Sequence, residues 1–292
     1  MRIAYNDIIS KLDSSKLTCA TVNSNYPISN VQDQRLGFCS MMASTSSILI
    51  DFTGHGYKIN TIALLGHNLD SSATISVSFN YINNWTNPPV THTLSYNSGI
   101  ILKFLDTPVY VGTTEIENAD ELTSDVITVD FITTEDGDYL TAETGDFIVG
   151  QEKEKYVFAK ISITNTNTIQ LGRIWMGDYL QISPSSLLDF KVTKKRSDIN
   201  IYGKDRQKIS IPGVSWRRIE LSFPVTSNDM INNVYTMYKT VANNKSIIFC
   251  NFDTIRGYPL VEPLYCSIDG SITFTHNESM KFTYSLNLEE DR

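Results

Sequence analysis

Apolar and polar residues alternate with a period of two along most of this chain, which is the pattern of half-buried β-strands. The first half contains several such segments, separated by turns rich in Gly, Asn, Pro and Ser. The predicted strands are 47–52, 61–65, 74–79, 100–104, 156–164 and 168–176. The run 62–65 is continuously apolar, so we expect this strand to be buried on both faces. The spacing of the segments predicts a β-sandwich.

The second half continues the strand pattern and adds one helix. Its predicted strands are 189–193, 199–202, 207–211, 215–223, 247–251, 264–268, 271–276 and 280–288. The segment 228–242 has a helical period, because its apolar residues fall on one stripe. The residues of that stripe are Met230, Val234, Met237 and Val241. Between two of the strands, Asp269-Gly270 favours a two-residue β-hairpin.

The strand pattern divides the chain into a short N-terminal arm and two β-rich domains. We predict an arm over 1–19, a β-sandwich over 20–182 and a β-barrel-like domain with one packed helix, 228–242, over 183–292. Within the sandwich, the stretch 112–152 has twelve acidic residues and no Lys, Arg or His. Because like charges resist dense packing, we predict an inserted hairpin or loop that projects from the domain.

Charge argues against a nucleic-acid-binding protein. The formal net charge is −8, whereas binding to phosphates depends on clustered Lys and Arg. One basic cluster, 191–196, has no Gly-rich cradle or aromatic platform beside it and is typical of a solvated strand. No run of 18 apolar residues predicts a membrane span, and the first ten residues have too short an apolar run for a signal peptide. We expect folding in a cytoplasm and four buried free cysteines.

Motifs of catalysis do not occur in the chain. It has no H-E-x-x-H, G-x-S-x-G, Walker A or G-x-G-x-x-G stretch, and only four histidines. The acidic turn 135–138 lacks the ligand spacing of an EF-hand loop and is typical of a solvated turn. We therefore predict a protein that is not an enzyme and that uses no cofactor or metal.

Five residues are candidate contacts with a ligand or a partner protein. Trp85 lies in an Asn-rich loop and Tyr96 follows nearby in sequence, so either ring could stack on a sugar or a partner, or fill a gap in the core. Trp216, Arg217 and Arg218 combine an apolar anchor with two cations on one predicted strand. That strand could form a subunit contact, or bury Trp216 and leave the arginines on the surface.

Three stretches of the first domain resemble the galactose-binding-like (discoidin-like) jelly rolls of tailed-phage virion proteins. They are YPISNVQD at 26–33, LLGHNL at 64–69 and IQLGRIWMG at 169–177. The resemblance implies an opening stretch, a turn after a buried strand and a last long strand, respectively. We expect His67 and Asn68 to hold that turn through side-chain to backbone bonds. The sugar-binding loops of lectin members have no counterpart here, and the acidic insertion is longer than the family pattern.

The second domain is similar to the C-terminal part of phage distal-tail and fibre-adaptor proteins. The similarity lies in GVSWRR at 213–218, the helix and the closing strand that ends at 290. It implies a tube-like β-barrel that assembles into a ring, with six- or threefold symmetry, and that contacts other tail proteins. We therefore predict a structural virion protein of a phage tail end, assembled in the host cytoplasm, which connects the tail tube to baseplate or fibre proteins. The alternatives are a carbohydrate-binding module for a host-surface glycan and a cell-wall or capsule hydrolase.

Overall fold

A computed structural model shows a protein built mainly of β-strands, as predicted. The structure describes residues 1–113, 155–182, 189–202, 208–211, 213–224, 228–241, 245–250, 262–270, 273–277 and 281–291. The strands of the first half are β1 (Arg2–Asp7), β2 (Leu17–Cys19), β3 (Ser40–Met42), β4 (Thr45–Asp51), β5 (Gly56–His67), β6 (Thr74–Asn80), β7 (Val90–Leu94), β8 (Ile101–Gly112), β9 (Lys155–Tyr156), β10 (Phe158–Thr164) and β11 (Ile169–Gln181). Three short 3-10 helices are Ile9–Lys11, Ser14–Lys16 and Ile28–Gln32.

The second half contributes eight further strands and one α-helix within the described residues. The strands are β12 (Asp189–Arg196), β13 (Ile199–Tyr202), β14 (Lys208–Ile211), β15 (Ser215–Pro224), β16 (Ile247–Cys250), β17 (Leu264–Ile268), β18 (Thr273–Asn277) and β19 (Lys281–Glu290). The helix α1 is Asn228–Val241, which confirms the helix that the apolar stripe predicts. Its buried residues Val234, Met237 and Val241 pack into the same core as strands β15, β16, β17 and β19.

A sandwich forms the first half of the molecule. One layer is a five-stranded sheet in the order β2-β4-β10-β6-β7. Alternate residues of its strands, such as Ile48 on β4 and Ile161 on β10, are fully buried. They share one hydrophobic core with Ile62 of β5 and Ile174 of β11, which belong to the other layer. The period-two pattern therefore has the predicted cause, because one face of each strand lies against the facing layer.

The second layer continues through the whole molecule as one twelve-stranded sheet. Its strands follow the order β12-β15-β19-β17-β16-β1-β11-β5-β8-β9, with β18 beside β19 and β3 beside β11. This path is open, so the described strands form no closed barrel. Segment 1–19, for which the sequence predicts an arm, supplies β1 to the middle of this sheet and β2 to the edge of the smaller one. The limits of the two domains stay a prediction.

Strand β1 joins the two halves by pairing on both of its edges. Ile3 lies opposite Leu180 of β11 on one side and opposite Phe249 of β16 on the other. Gly177 of β11 allows the close approach, because a Cβ at this position would lie 1.6 Å from the carbonyl oxygen of Asn6. The first strand of the chain therefore connects elements that are distant in sequence, which a reading of local periodicity cannot detect.

Two predicted features differ from the structure or lie outside it. Strands β17 and β18 do not pair across Asp269-Gly270, since both pair with the same side of β19. The backbone N–H of Asp269 donates to the Asn287 carbonyl of β19 at 2.8 Å, so the chain stays beside this strand where the dipeptide favours a reversal.

Most of the acidic insertion 112–152 lies outside the described residues. Its described flanks, β8 and β9, are parallel neighbours at one edge of the sheet.

The cysteines are free, as predicted, but not all are buried. Cys250 and Cys266 lie in neighbouring strands β16 and β17 and are buried, and burial raises the pKa of the Cys250 thiol to about 12. Cys19 and Cys39 are partly exposed because they lie at the end of β2 and in the loop before β3, outside the packed faces of the sheets. The prediction of four buried thiols is therefore right for two of them.

A buried ion pair fixes β1 in its place. Arg173 of β11 is 1% exposed, and its guanidinium donates through Nε to the Asp7 carboxylate at 3.2 Å and through a second nitrogen to the same oxygen. Its remaining nitrogen donates to the Tyr265 hydroxyl of β17 at 2.6 Å, and that hydroxyl donates to the Gln34 carbonyl at 3.0 Å. Burial raises the pKa of Asp7, against the opposing effect of Arg173. Four distant segments thus meet at one guanidinium.

We predict that Arg173→Met destabilises the protein strongly. The substitution leaves the Asp7 carboxylate buried without its cation, a change that costs about 3–5 kcal/mol in comparable pairs. The free energy of unfolding in urea measures the loss. Arg173→Met combined with Asp7→Leu removes both charges and should recover much of it.

The control for this prediction is Lys191→Met, which removes one partner of an exposed pair with Glu220 at 3.4 Å. It should leave the free energy of unfolding unchanged, since exposed ion pairs contribute little. Equal stabilities of Arg173→Met and Lys191→Met would show that the buried pair does not hold the halves together.

Candidate functional site

The loop between β6 and β7 places Trp85 at one end of the sandwich. The ring is half-buried, its indole N–H donates to the Asn83 side chain at 2.8 Å, and the Lys160 ammonium lies 5.3 Å from the ring centroid. Tyr81 and Ile82 of the same loop are 40% and 61% exposed. We call these residues, Tyr81, Ile82, Trp85 and Lys160, the Trp85 surface. It offers aromatic and apolar groups beside one cation at the surface.

Internal hydrogen bonds hold the loop that carries Trp85. The Asn84 side chain accepts from the Thr86 backbone N–H at 3.1 Å and from the Thr86 hydroxyl at 3.0 Å. The Asn80 side chain donates to the Asn84 carbonyl and accepts from the Tyr81 backbone N–H at 2.8 Å. The run of asparagines therefore builds the turn, as Asx-type bonds do, and positions the exposed side chains.

Tyr96 does not join Trp85 in one site. The two residues flank opposite ends of the five-residue strand β7. Tyr96 packs against the core of the sandwich, and its ring meets His67 edge-on with centroids 6.2 Å apart. Its surroundings favour a packing role, whereas Trp85 is half-buried beside the exposed Tyr81 and Ile82. The closeness of Trp85 and Tyr96 in sequence does not place them in one site, because strand β7 lies between them.

The turn after β5 is held as the resemblance implies, with one difference. The backbone N–H of Leu69 donates to His67 Nδ1 at 3.3 Å, which is a bond within the turn. The Asn68 side chain instead donates to the Thr168 carbonyl at 2.9 Å and accepts from the Gln170 backbone N–H at 2.7 Å. Asn68 thus connects the turn to the start of β11. Burial lowers the pKa of His67, which favours the neutral ring.

Trp216, Arg217 and Arg218 all bind acidic side chains of the same molecule. The Trp216 indole N–H donates to the Glu289 carboxylate of β19. Arg217 donates to both oxygens of Glu290, at 3.3 and 3.1 Å, and its backbone N–H donates to the same carboxylate at 2.8 Å.

Arg218 completes this set of cross-strand contacts. Its guanidinium lies 3.5 Å from the Glu220 carboxylate and 3.1 Å from that of Asp269. All three residues are partly exposed. The cluster therefore links β15 to β19 and to the end of β17, and the adjacent β12 forms the outer edge of the sheet.

Nothing among the described residues forms a metal site. No group of three His, Cys, Asp or Glu side chains there is arranged to hold an ion. No helix in the described part of the chain is both long and apolar enough to cross a bilayer.

We predict that Arg217→Ala destabilises the protein without a bound partner. The substitution leaves the Glu290 carboxylate, whose side chain is 12% exposed, with one of its three hydrogen bonds from Arg217. A loss of about 1–2 kcal/mol in the free energy of unfolding is expected. Lys239→Ala, which removes an exposed cation from α1, is the control and should have no measurable effect. An unchanged stability of Arg217→Ala would leave Arg217 available as a contact for a partner.

Comparison with known proteins finds weak structural similarity and no sequence relatives. No family model and no curated protein matches the chain. A Streptococcus pneumoniae fucose binding module aligns over 59% of this chain and 95% of its own, with 9% identity and a TM-score of 0.34. The tail of an empty GTA particle, refined with C6 symmetry, aligns over 39% of this chain and 82% of its own, with 12% identity and a TM-score of 0.28. The chain is thus weakly similar to a carbohydrate-binding module and to a particle tail.

Proposed function

We propose that this chain is a structural virion protein of a phage tail end, which assembles into a ring and connects the tail tube to baseplate or fibre proteins. The sequence resemblances of both halves support this role. The structural observation that carries the proposal is the single sheet that runs from β12 to β9 through both halves. An adaptor between two assemblies must hold its two binding surfaces in a fixed relation.

The junction, which is the region around β1 where the two halves meet, is held rigid by buried contacts. Besides the Arg173–Asp7 pair, a hydrophobic cluster of β1, β5, β11, β16 and β17 fills the space between the halves. Its largest member, Trp175, is completely buried. A junction of paired strands around a packed core resists bending, because a hinge motion would expose apolar surface and break the backbone ladder. One half can then bind the ring neighbours while the other presents a fixed face to fibres.

The ring contact is assigned to the outer edge of β12. This strand ends the path of the large sheet, so its outer edge has no paired strand within the described residues. Lys191, Lys194 and Arg196 are exposed along it, and Val192 is 39% exposed. The chain as a whole carries a formal charge of −8. A basic edge that meets an acidic surface of the next copy would give the head-to-tail contact that closes a ring.

We expect the purified chain to form closed rings of three or six copies at micromolar concentration, as measured by mass photometry. Lys194→Glu should weaken assembly by about tenfold or more, because it places an acidic residue at an interface with an acidic partner surface. Lys239→Glu makes the same charge change on the exposed face of α1 and should assemble normally. A strict monomer at high concentration, or equal assembly of the two variants, would contradict the proposed ring contact.

A carbohydrate-binding module is the second candidate, and the Trp85 surface favours it. The half-buried Trp85 ring and the exposed Tyr81 ring, with amide groups beside them, can stack on a sugar ring and hydrogen-bond its hydroxyls. A glycan site at the Trp85 surface predicts that Trp85→Ala loses the glycan-array signal, with Tyr96→Ala as the comparison residue outside this surface. Equal glycan signals from wild-type protein and Trp85→Ala would remove this candidate.

The proposed function includes no enzymatic activity. Turnover of peptidoglycan or capsule by the purified chain would establish the hydrolase alternative.

A further inference from the structure

A polar cleft lies where helix α1 meets the large sheet. Its volume is about 350 Å³, which falls within the range of roughly 300–1,000 Å³ found for small-molecule sites. Its walls come from strands β1, β5, β8 and β11 and from the helix, so both halves of the molecule contribute to it. It is separate from the Trp85 surface, which lies on the other sheet. None of the residues singled out from the sequence lines it.

Two irregularities in strand pairing open this cleft. The register between β1 and β11 shifts at Tyr5, which is the residue between Ala4 and Asn6. The register between β5 and β8 shifts at Asn60, where residues 105–108 of β8 lie between the paired positions Phe104 and Val109. Between these two sites, β11 presents Asp178. Bulges re-aim side chains and interrupt a flat sheet surface, and they are common beside binding sites. Here two of them flank one carboxylate.

Hydrogen bonds fix the polar groups of the cleft before any ligand binds. One oxygen of the Asp178 carboxylate accepts from the Asn60 amide and from the Tyr179 backbone N–H, the latter at 2.8 Å. The Thr61 hydroxyl donates to the Asn60 carbonyl oxygen at 3.2 Å, which fixes the orientation of the amide. The Lys58 ammonium lies 4.0 Å from the second carboxylate oxygen. These groups are oriented by the fold and have little freedom to lose on binding.

Stability alone does not account for this arrangement. Asp178 and Asn60 are 8% and 6% exposed, and burying a carboxylate is unfavourable even beside a partner. Apolar residues of similar size often stabilise a protein as well as a buried charged pair does. At 4.0 Å the Lys58–Asp178 pair is at the limit of an ion pair and leaves the ammonium able to donate to a ligand. The helix adds an amide, Asn233, and a hydroxyl, Thr236, on the facing wall.

We propose that the cleft binds a neutral, hydroxyl-rich molecule of the size of a mono- or disaccharide. The charges of Asp178 and Lys58 cancel, so the cleft favours neither a net anion nor a net cation. Carboxylate, ammonium, amide and hydroxyl groups provide both donors and acceptors, and each sugar hydroxyl is itself a donor and an acceptor. Tyr5, Tyr179 and Leu180 also line the cleft, and such aromatic and apolar residues suit the C–H face of a sugar. This inference is independent of ring formation.

The test is calorimetric titration of the full chain with a panel of defined small molecules. The saccharide arm contains D-glucose, D-galactose, D-mannose, N-acetyl-D-glucosamine, lactose and cellobiose at millimolar concentrations. The comparison arm contains glycine, L-lysine and inorganic phosphate, which carry charge and few hydroxyls. We expect at least one saccharide to bind and the comparison arm to show no heat. Absence of binding throughout the saccharide arm, or preferential binding of a charged compound, would overturn the inference.

Variants locate the bound saccharide. Asn233→Ala on the helix and Lys58→Met on β5 should each weaken binding by about 3- to 10-fold, the effect of one hydrogen bond. They lie on different elements, so a folding defect in one leaves the other informative, and thermal unfolding of both verifies the fold. Trp85→Ala and Lys194→Glu should bind normally. Loss of binding in Trp85→Ala, with Asn233→Ala unaffected, would move the site to the Trp85 surface and overturn the assignment to the cleft.

Discussion

The Arg173 guanidinium is the group on which the organisation of this protein depends. It donates hydrogen bonds to the Asp7 carboxylate of the first strand, to the Tyr265 hydroxyl and to the Asp33 carbonyl. The Tyr265 hydroxyl in turn donates to the Gln34 carbonyl. A charged group with so little exposure is tolerated only when its hydrogen bonds are made. The folded state therefore requires β1 to lie between β11 and β16. This requirement makes one continuous sheet from two halves that local patterns separate.

The continuous sheet has consequences for one of its ends and for its middle. At one end, the cluster of Trp216, Arg217 and Arg218 joins β15 to β19 and leaves β12 as the basic outer edge. In the middle, β1 shifts register against β11 at Tyr5, while β5 stays in register with β11 and shifts against β8 at Asn60. The same junction that gives the molecule rigidity thus also carries the cleft around Asp178, whose walls come from both halves.

Candidate contact residues acquire different roles once their neighbours are known. Trp85 lies half-buried on a loop that asparagine side chains hold in shape, whereas Tyr96 packs on the core at the opposite end of β7. Arg217 binds Glu290, seventy-three positions away in the chain, through three hydrogen bonds. For Tyr96 and Arg217, the choice between a surface role and a structural role depended on partners that are distant in sequence.

Local periodicity determined most of the strands and the helix of this protein, because burial of one face imposes a period of two on strands and of 3.6 on helices. Strands such as β13 and β17 and the helix α1 agree closely with their predicted limits. Three other features depended on tertiary structure: the place of β1 in the sheet, the common pairing of β17 and β18 with β19, and the cleft around Asp178. Each consists of contacts between residues far apart in the chain. Their energy comes from pairing and burial across elements, which no local stretch of sequence encodes.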